Sequence, residues 1–416
     1  MRKALNEFLT LDDLNLNGKT VFLRVDINCP LNPETKKIID DFRIKASALT
    51  LKELIEKGAK TIVLAHQGRP GDWDFTSLKE HAEKFKELGF KIEFINEVYG
   101  SKVLNAIKNL KRSEAILLEN VRFNPEEMLE KNAEEHSKSS FIQFLAPLGD
   151  FFVNDAFSAA HRSQCSLIGF TPIMPSAAGR LMEAEIKNLS KLFYAEKPSI
   201  AVLGGAKFSS SIKIVKALLN KGFSKILLAG LSGQAFLKAL GFKLGVVNEA
   251  KLEKEASIKF YDEAKKLLEV YSDKILLPED FAIEKNGERI EISKNELPSN
   301  YPIYDIGDET ISKFKNVLIE AKTVFLSGPA GAFEKPKFRK GTEELLTTIA
   351  NSKAFSVIGG GHTIAALQKL NLLTKVSHAS VGGGALEAFI AGEPMPVIEA
   401  LKNSAKKFYM KNRGGL

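Results

Sequence analysis

Cysteine is nearly missing from this chain: Cys29 and Cys165 are the only two among 416 residues. Two thiols make neither the disulfide framework of a small secreted domain nor a cysteine-based zinc site, so a reducing, cytoplasmic setting is expected. No stretch approaches the roughly 18 uninterrupted apolar residues of a membrane span. The opening residues, Met1 to Glu7, lack the apolar segment of a signal peptide, and the expectation is a soluble chain that is not exported. A long Lys/Arg block is missing too. The net charge of +8 arises from 59 basic against 51 acidic residues, scattered among one another. Runs such as Lys251 to Lys265 alternate in sign and read as solvated helix faces. A nucleic-acid partner would need a continuous basic face, so that role is not expected, nor is a membrane surface. Two common nucleotide signatures are absent as well. The absence of Gly-x-x-x-x-Gly-Lys-Ser/Thr argues against the P-loop fold, and that of Gly-x-Gly-x-x-Gly after a strand against a nicotinamide dehydrogenase.

What is present is a long alternation. Apolar runs of strand length begin at Val21, Thr61, Ala115, Phe151, Ser199, Lys225, Lys274, Thr323, Ala354 and Val376, each followed by glycine or polar residues and then a helical pattern. Short buried strands alternating with amphipathic helices mark an α/β fold with parallel sheets. The length exceeds what one core usually serves, which predicts two domains of roughly 150 to 220 residues. Pro172 and Pro175 precede a helical pattern from Ala177 to Phe193, with Leu181, Ile186, Leu189 and Leu192 as its buried positions, and Pro198 closes it. The expected division is therefore residues 1–172, a connecting helix and hinge at 173–198, and a second domain at 199–402. The tail 403–416 either joins the first domain or frays. Glu284 to Tyr304, with Asn286-Gly287 and Pro298, reads as a hairpin excursion without chemistry.

In open parallel sheets, ligands sit beyond the carboxyl ends of the strands, and the two halves differ sharply there. The first half offers Arg24, Asp26 and Asn28, then His66, Gln67, Gly68 and Arg69, then Arg122, then Asn154, Asp155, His161 and Arg162. Guanidinium forks suit a small anion rich in carboxylate or phosphate oxygens. His66 alone reads as a structural cap. With Arg24, Arg43, Arg122 and Arg162 expected at the same sheet edge, substrate binding is the better reading, although Arg43 lies outside any strand. The second half ends its strands in Gly204-Gly205-Ala206-Lys207, Gly230, Ser327-Gly328-Pro329, and two triplets 23 residues apart, Gly359-Gly360-Gly361 and Gly382-Gly383-Gly384. One triplet is as readily a tight turn as a ligand site. Two of them at helix starts favour a polyphosphate on bare backbone N–H groups.

Several of these runs resemble one family. Leu23-Arg24-Val25-Asp26-Ile27-Asn28-Cys29-Pro30, His66 to Pro70, Leu117 to Phe123, Asn154 to Arg162, Leu203 to Lys207, Gly328 to Glu334 and Ser377 to Ala385 are similar, in order and across nearly the whole chain, to phosphoglycerate kinase. The resemblance implies two Rossmann-like domains, joined by a helix and hinge with a cleft between them. The first would bind 3-phosphoglycerate or 1,3-bisphosphoglycerate through Asp26, Asn28, Arg43, His66, Gln67, Gly68, Arg69, Arg122 and Arg162. The second would bind ATP or ADP with Mg2+ through Gly205, Ala206, Lys207, Pro329, Glu334 at the ribose, and Gly359, Gly360, Gly361, His362 and Thr363. Three departures resemble the archaeal branch: Ser210 and Ser211 replace the family's Asp-Lys, Ser327 its Asn, and His362 its Asp. Lys213 is a candidate to supply the charge missing at Ser211. How magnesium is held is left open, since a neutral imidazole is a poor ligand for it beside oxygen.

The implied reaction is reversible phosphoryl transfer between 1,3-bisphosphoglycerate and ADP, glycolytic or gluconeogenic, with domain closure excluding water. A carboxylate leaving group needs little acid–base help, so alignment and charge neutralisation carry the catalysis. Arg43, Lys207 and the N–H groups of Gly382, Gly383 and Gly384 are the expected catalytic cluster. A monomer or a homodimer is expected. A catalytically silent protein that keeps both pockets is the competing class, motivated by Ser211 and His362.

Overall fold

The computed structural model describes residues 7–205, 208 and 210–409. The chain folds as two compact units, Met1–Lys187 with Pro394–Leu416, and Asn188–Glu393. In the first unit the described strands are β1 (Leu9–Thr10), β2 (Thr20–Arg24), β3 (Lys60–Leu64), β4 (Ile92–Ile95), β5 (Ala115–Leu118), β6 (Phe151–Asn154) and β7 (Ser176–Ala178). They pair in parallel in the order β1-β7-β6-β2-β3-β5-β4.

Helices cover both faces of this sheet, which is why its central strands carry consecutive apolar residues, as in Val21–Leu23 and Ile62–Leu64, rather than an apolar residue at every second position. Val21, Leu23, Val63, Leu117 and Val153 face a core completed by Ile44, Leu51 and Leu54 of helix Phe42–Glu56 and by Phe85 of helix Lys79–Glu87. Phe22, Ile62, Ile116 and Phe152 face the opposite core, with Val103 and Ile107 of helix Ser101–Asn109 and Phe141 of helix Ser140–Leu145.

Two boundaries differ from expectation. The stretch expected to begin a helix at Ala177 is instead the inner strand β7, paired to β6 and β1. Ala177 and Ala178 are completely buried there, where side chains of that size fit beneath a helix. The connecting helix is Arg180–Lys191, and its buried apolar positions are Met182, Ile186 and Leu189. Leu181 is only partly buried. Helix Pro396–Phe408 belongs to the first unit, so the second stops at Glu393 rather than 402. Its Ser404 Oγ accepts from Ser176 N at 3.1 Å and donates to the Met174 carbonyl at 3.3 Å, and Ala405 enters the first unit's core. Residues 410–416 of the expected tail lie outside the described residues.

In the second unit, β8 (Ser199–Leu203), β9 (Lys225–Leu228), β10 (Ile275–Leu276), β14 (Thr323–Ser327), β15 (Phe355–Gly359) and β16 (His378–Ala379) pair in parallel in the order β10-β9-β8-β14-β15-β16. A separate antiparallel sheet, β12-β11-β13, is built from β11 (Asp280–Lys285), β12 (Glu288–Ser293) and β13 (Ile303–Ile306). The β11–β12 hairpin turns at Asn286 and Gly287, both at positive φ (53° and 78°), as a two-residue turn between right-twisted strands requires.

Each parallel sheet grows from one central strand in both directions. The topological switch points fall between β2 and β6 in the first unit and between β8 and β14 in the second, which is where ligand crevices form in sheets of this kind. No helix among the described residues is long and apolar enough to cross a membrane.

Candidate active site

Arginines gather beyond β2, β3, β5 and β6. Asp26, 7% exposed, accepts from Asn28 N at 2.9 Å and pairs with Arg43 Nη1 and Ser158 Oγ, and Arg43 Nη1 stands 3.1 Å from Ser158 Oγ. Burial raises the Asp26 carboxyl, but the Arg43 guanidinium and the donors from Ser158 and Asn28 outweigh it and hold the group well below the usual carboxylate range. Asn28 Oδ1 accepts from Gly68 N at 3.0 Å, so the loops after β2 and β3 are tied together. Gly68 sits at φ 65°, and a Cβ there would stand 2.5 Å from Phe75 N; only glycine lets the two segments approach so closely.

Arg122 reaches across to this loop and donates Nη1 to the Gly68 carbonyl. It is 3% exposed, yet its Nε and Nη2 have no hydrogen-bond partner among the described residues. Burial, then the neighbouring charges of Arg24 and Arg162, lowers its pKa to about 10. Arg162 is lowered by burial and by Arg69, itself exposed. His66 is buried and pushed well below 6.5, by burial first and then by Arg24, Arg122 and Arg162. Positive charge in excess, with buried donors unmatched, is the electrostatic signature of an anion site.

Two expected hands serve the frame instead. The Gln67 side chain clamps Cys29, accepting from its N–H at 2.9 Å and donating to its carbonyl at 3.1 Å, and His81 Nε2 stands 3.1 Å from Gln67 Oε1. Arg24 is fully buried behind the pocket, bonded to Ser166 Oγ, the Val25 carbonyl and His66.

In the second unit a cavity of about 620 Å³ opens at the ends of β8, β14 and β15. Gly205, Gly230, Gly328 and Pro329 line it, together with Gly360, Gly361, His362 and Thr363 of the first triplet's loop and Gly383 and Gly384 of the second. The triplets thus meet at one cavity, and helices Gly361–Lys369 and Gly384–Ala391 begin there, behind the N-cap residues Gly360 and Gly383, which offer no side chain to cap them. Phe281, Ile303, Ile306, Ala330 and Ala332 supply an apolar wall, and Gln234 Oε1 and Thr363 Oγ1 are buried polar atoms without a partner among the described residues. Flat apolar lining plus unpaired polar groups and helix N-termini fits a nucleotide. Glu334 also lines this cavity.

Other glycines have a plainer task. A Cβ at Gly204 would lie 2.3 Å from the Pro329 carbonyl oxygen, and one at Gly328 2.5 Å from that of Gly204, so these loops pack backbone on backbone. Gly205 N is bonded to the Pro329 carbonyl at 2.7 Å, and Gly382 N to Ser380 Oγ at 3.1 Å. Gly382 is therefore a buried support, and Gly383 and Gly384 are the members of its triplet that reach the cavity. Ser211 Oγ donates to the Phe208 carbonyl at 2.6 Å, and Lys213 pairs with Glu393 at 2.5 Å rather than standing in for a missing charge. Ala206 and Lys207 lie outside the described residues. No group of three His, Cys, Asp or Glu side chains suited to a metal forms among the described residues.

Sequence reasoning missed Gln234, Lys251 and Tyr304, all of which line the cavity. Tyr304 falls in the passage expected to carry no chemistry. Its ring lies between two lysines, with Lys335 Nζ at 4.3 Å and Lys251 Nζ at 4.6 Å from its centroid.

Two parallel-sheet units, one with a guanidinium pocket and the other with a glycine-lined cavity, define the class: an α/β phosphotransferase. The phosphoglycerate kinase family model matches residues 11–393. Phosphoglycerate kinase of Methanothermus fervidus is 45% identical over 404 residues, covering 96% of this chain and 98% of that protein. That of Thermococcus kodakarensis is 42% identical over 405 residues, covering 96% and 98%. The crystal structure of phosphoglycerate kinase from Pyrococcus horikoshii OT3 superposes with a TM-score of 0.91 at 42% identity, covering 96% of this chain and all of that one. The Coxiella burnetii structure gives 0.78 at 32%, with the same coverage. The chain belongs to the phosphoglycerate kinase family. Its reaction is phosphoryl transfer between 1,3-bisphosphoglycerate and ADP, giving 3-phosphoglycerate and ATP in glycolysis.

Proposed function

We propose that the first unit's arginine pocket holds the triose and the second unit's cavity holds ADP or ATP. The observation that carries the first half is Arg122, a buried guanidinium with two donors that no acceptor among the described residues meets. Such a group is costly unless an anion completes it. Asp26, Asn28 and Gly68 shape the pocket, and Arg43, His66, Arg69, Arg122 and Arg162 are its hands, with Gln67 building the loop that carries them.

On the nucleotide side, Gly360, Gly361 and Thr363 offer helix N-terminal donors to phosphate, Gly205 and Pro329 border the base, and Glu334 takes the ribose. Lys207 and Ala206 are assigned to the phosphates by family likeness. Arg43, Lys207 and the N–H groups of Gly383 and Gly384 neutralise the moving phosphoryl, and transfer requires the two ligands to be brought in line. Magnesium would enter with the nucleotide, held by its phosphate oxygens, because the described residues build no carboxylate cage. The enzyme is assigned to the cytoplasm, as a monomer.

Calorimetric titration tests the division. An Arg122→Ala protein is expected to lose about tenfold or more in affinity for 3-phosphoglycerate while ADP binds as before. Equal loss of both ligands, or of neither, would overturn it.

A further inference from the structure

The proton on His66 is placed by its neighbour. Arg24 directs its donors inward: Nε to Ser166 Oγ at 2.8 Å, Nη1 to the Val25 carbonyl, and Nη2 to His66 Nδ1 at 3.0 Å. A guanidinium has donors and no acceptor, so Nδ1 must supply the lone pair. The ring's own N–H therefore lies on Nε2. Behind Arg24, the buried carboxylate of Glu127 accepts from Ser166 N and Ser166 Oγ, both at 2.7 Å, and stands 3.9 Å from Arg24 Nη2. Glu127, Ser166 and Arg24 are each completely buried, so the chain of contacts ending on His66 has no exposed member to loosen it.

We propose that Arg24, anchored by Ser166 and Glu127, is a positioning residue that fixes His66 as a neutral ring with its N–H on Nε2, giving the triose a constant donor rather than a titrating cation. The inference rests on the assignment of the triose to this pocket and adds how one of its hands is set. The charged groups around His66 agree with it. Arg24, Arg122 and Arg162 oppose a further positive charge, and Asp26, which favours it, is already paired with Arg43. A histidine that charged below neutrality would make triose affinity swing with pH across the physiological range. The contact from Arg24 removes that swing.

Long-range 1H–15N correlation spectra of the full-length protein test the proposal directly, with His66 assigned by its loss in a His66→Gln variant. The expected pattern is a neutral ring protonated at Nε2, unchanged between about pH 5.5 and about pH 8. A ring protonated at Nδ1, or one that becomes an imidazolium within that range, overturns it. Adding 3-phosphoglycerate should move the Nε2 signal. A silent signal with the stated tautomer overturns the pocket assignment and leaves the placement of the proton standing.

A second arm uses kinetics. Arg24→Gln is expected to give mixed tautomers and to raise KM for 3-phosphoglycerate by about tenfold, with the larger part of the effect in KM rather than kcat. Introduced into His66→Gln, the same change should add less than about twofold, because its route is already cut. Equal penalties in both backgrounds would show that Arg24 acts by another path and overturn the proposal. If Arg24→Gln fails to fold, Ser166→Ala, which removes one anchor and keeps the guanidinium, carries the same comparison.

Discussion

Asp26 and Ser158 hold Arg43 Nη1 from two sides, so the guanidinium is pre-aimed before any ligand arrives. Pre-organised charge is worth most at the moment of transfer. Arg43→Ala is accordingly expected to bind ADP normally and to lose more than about tenfold in kcat, measured in a coupled assay of ATP formation from 1,3-bisphosphoglycerate. Unchanged turnover would remove Arg43 from the mechanism. His81 acts through stability instead. Burial lowers its pKa to about 4. Below about pH 6.5 the unfolded chain takes up a proton that the folded state refuses, so stability falls as pH drops from there toward 4. The contribution is at most about 3 kcal/mol. Urea melts at pH 7 and pH 5 should show a shallower loss in His81→Gln than in the unsubstituted protein.

At the scale of elements, the central strands were legible because burial on both faces makes runs of consecutive apolar residues, and their glycine or arginine endings marked the candidate sites. Strands β1 and β7 were not legible. They are two and three residues long, and β7 is mostly alanine, which by itself favours helix. The candidate site was readable where its residues lie in a local run, as at Asp26 or Gly360. It was unreadable where a residue from a distant element arrives by tertiary packing, as Tyr304 does from β13. Gln67 and Gly382 show the opposite case: they stand in the right runs, yet their polar groups are bonded to Cys29 and Ser380. The glycine loops also yield a test. Gly328 sits at φ 84°, and its Cβ would meet the Gly204 carbonyl oxygen at 2.5 Å, a backbone atom that cannot rotate away. Gly328→Ala is expected to weaken ADP binding by about tenfold or more, at a cost in stability of about 1–3 kcal/mol, while 3-phosphoglycerate still binds. Parallel titrations of the two ligands check it.

For the whole molecule, the family and the α/β class were readable early because the motifs run through the entire chain in order. The allegiance of the last helix was not, since the apolar stripe of Val397, Leu401 and Ala405 announces an amphipathic helix without saying which core it completes. Val397 N bonds to the Ala160 carbonyl at 3.2 Å, and Ser404 ties to β7 and to Met174. A chain stopped after Glu393 is therefore expected to lose 3-phosphoglycerate binding and the cooperative unfolding of the first unit, and to retain ADP binding. Titration with each ligand and circular dichroism melts measure this. Loss of both ligands together would refute it.

That last helix also sets an order of events during synthesis. The first unit cannot complete its core until helix Pro396–Phe408 has been made, because Ala405 belongs to that core. The second unit, contiguous from Asn188 to Glu393, has no such requirement. Until then β7 lacks the helix that packs on it, and Ala177 and Ala178, buried in the finished fold, have one cover fewer.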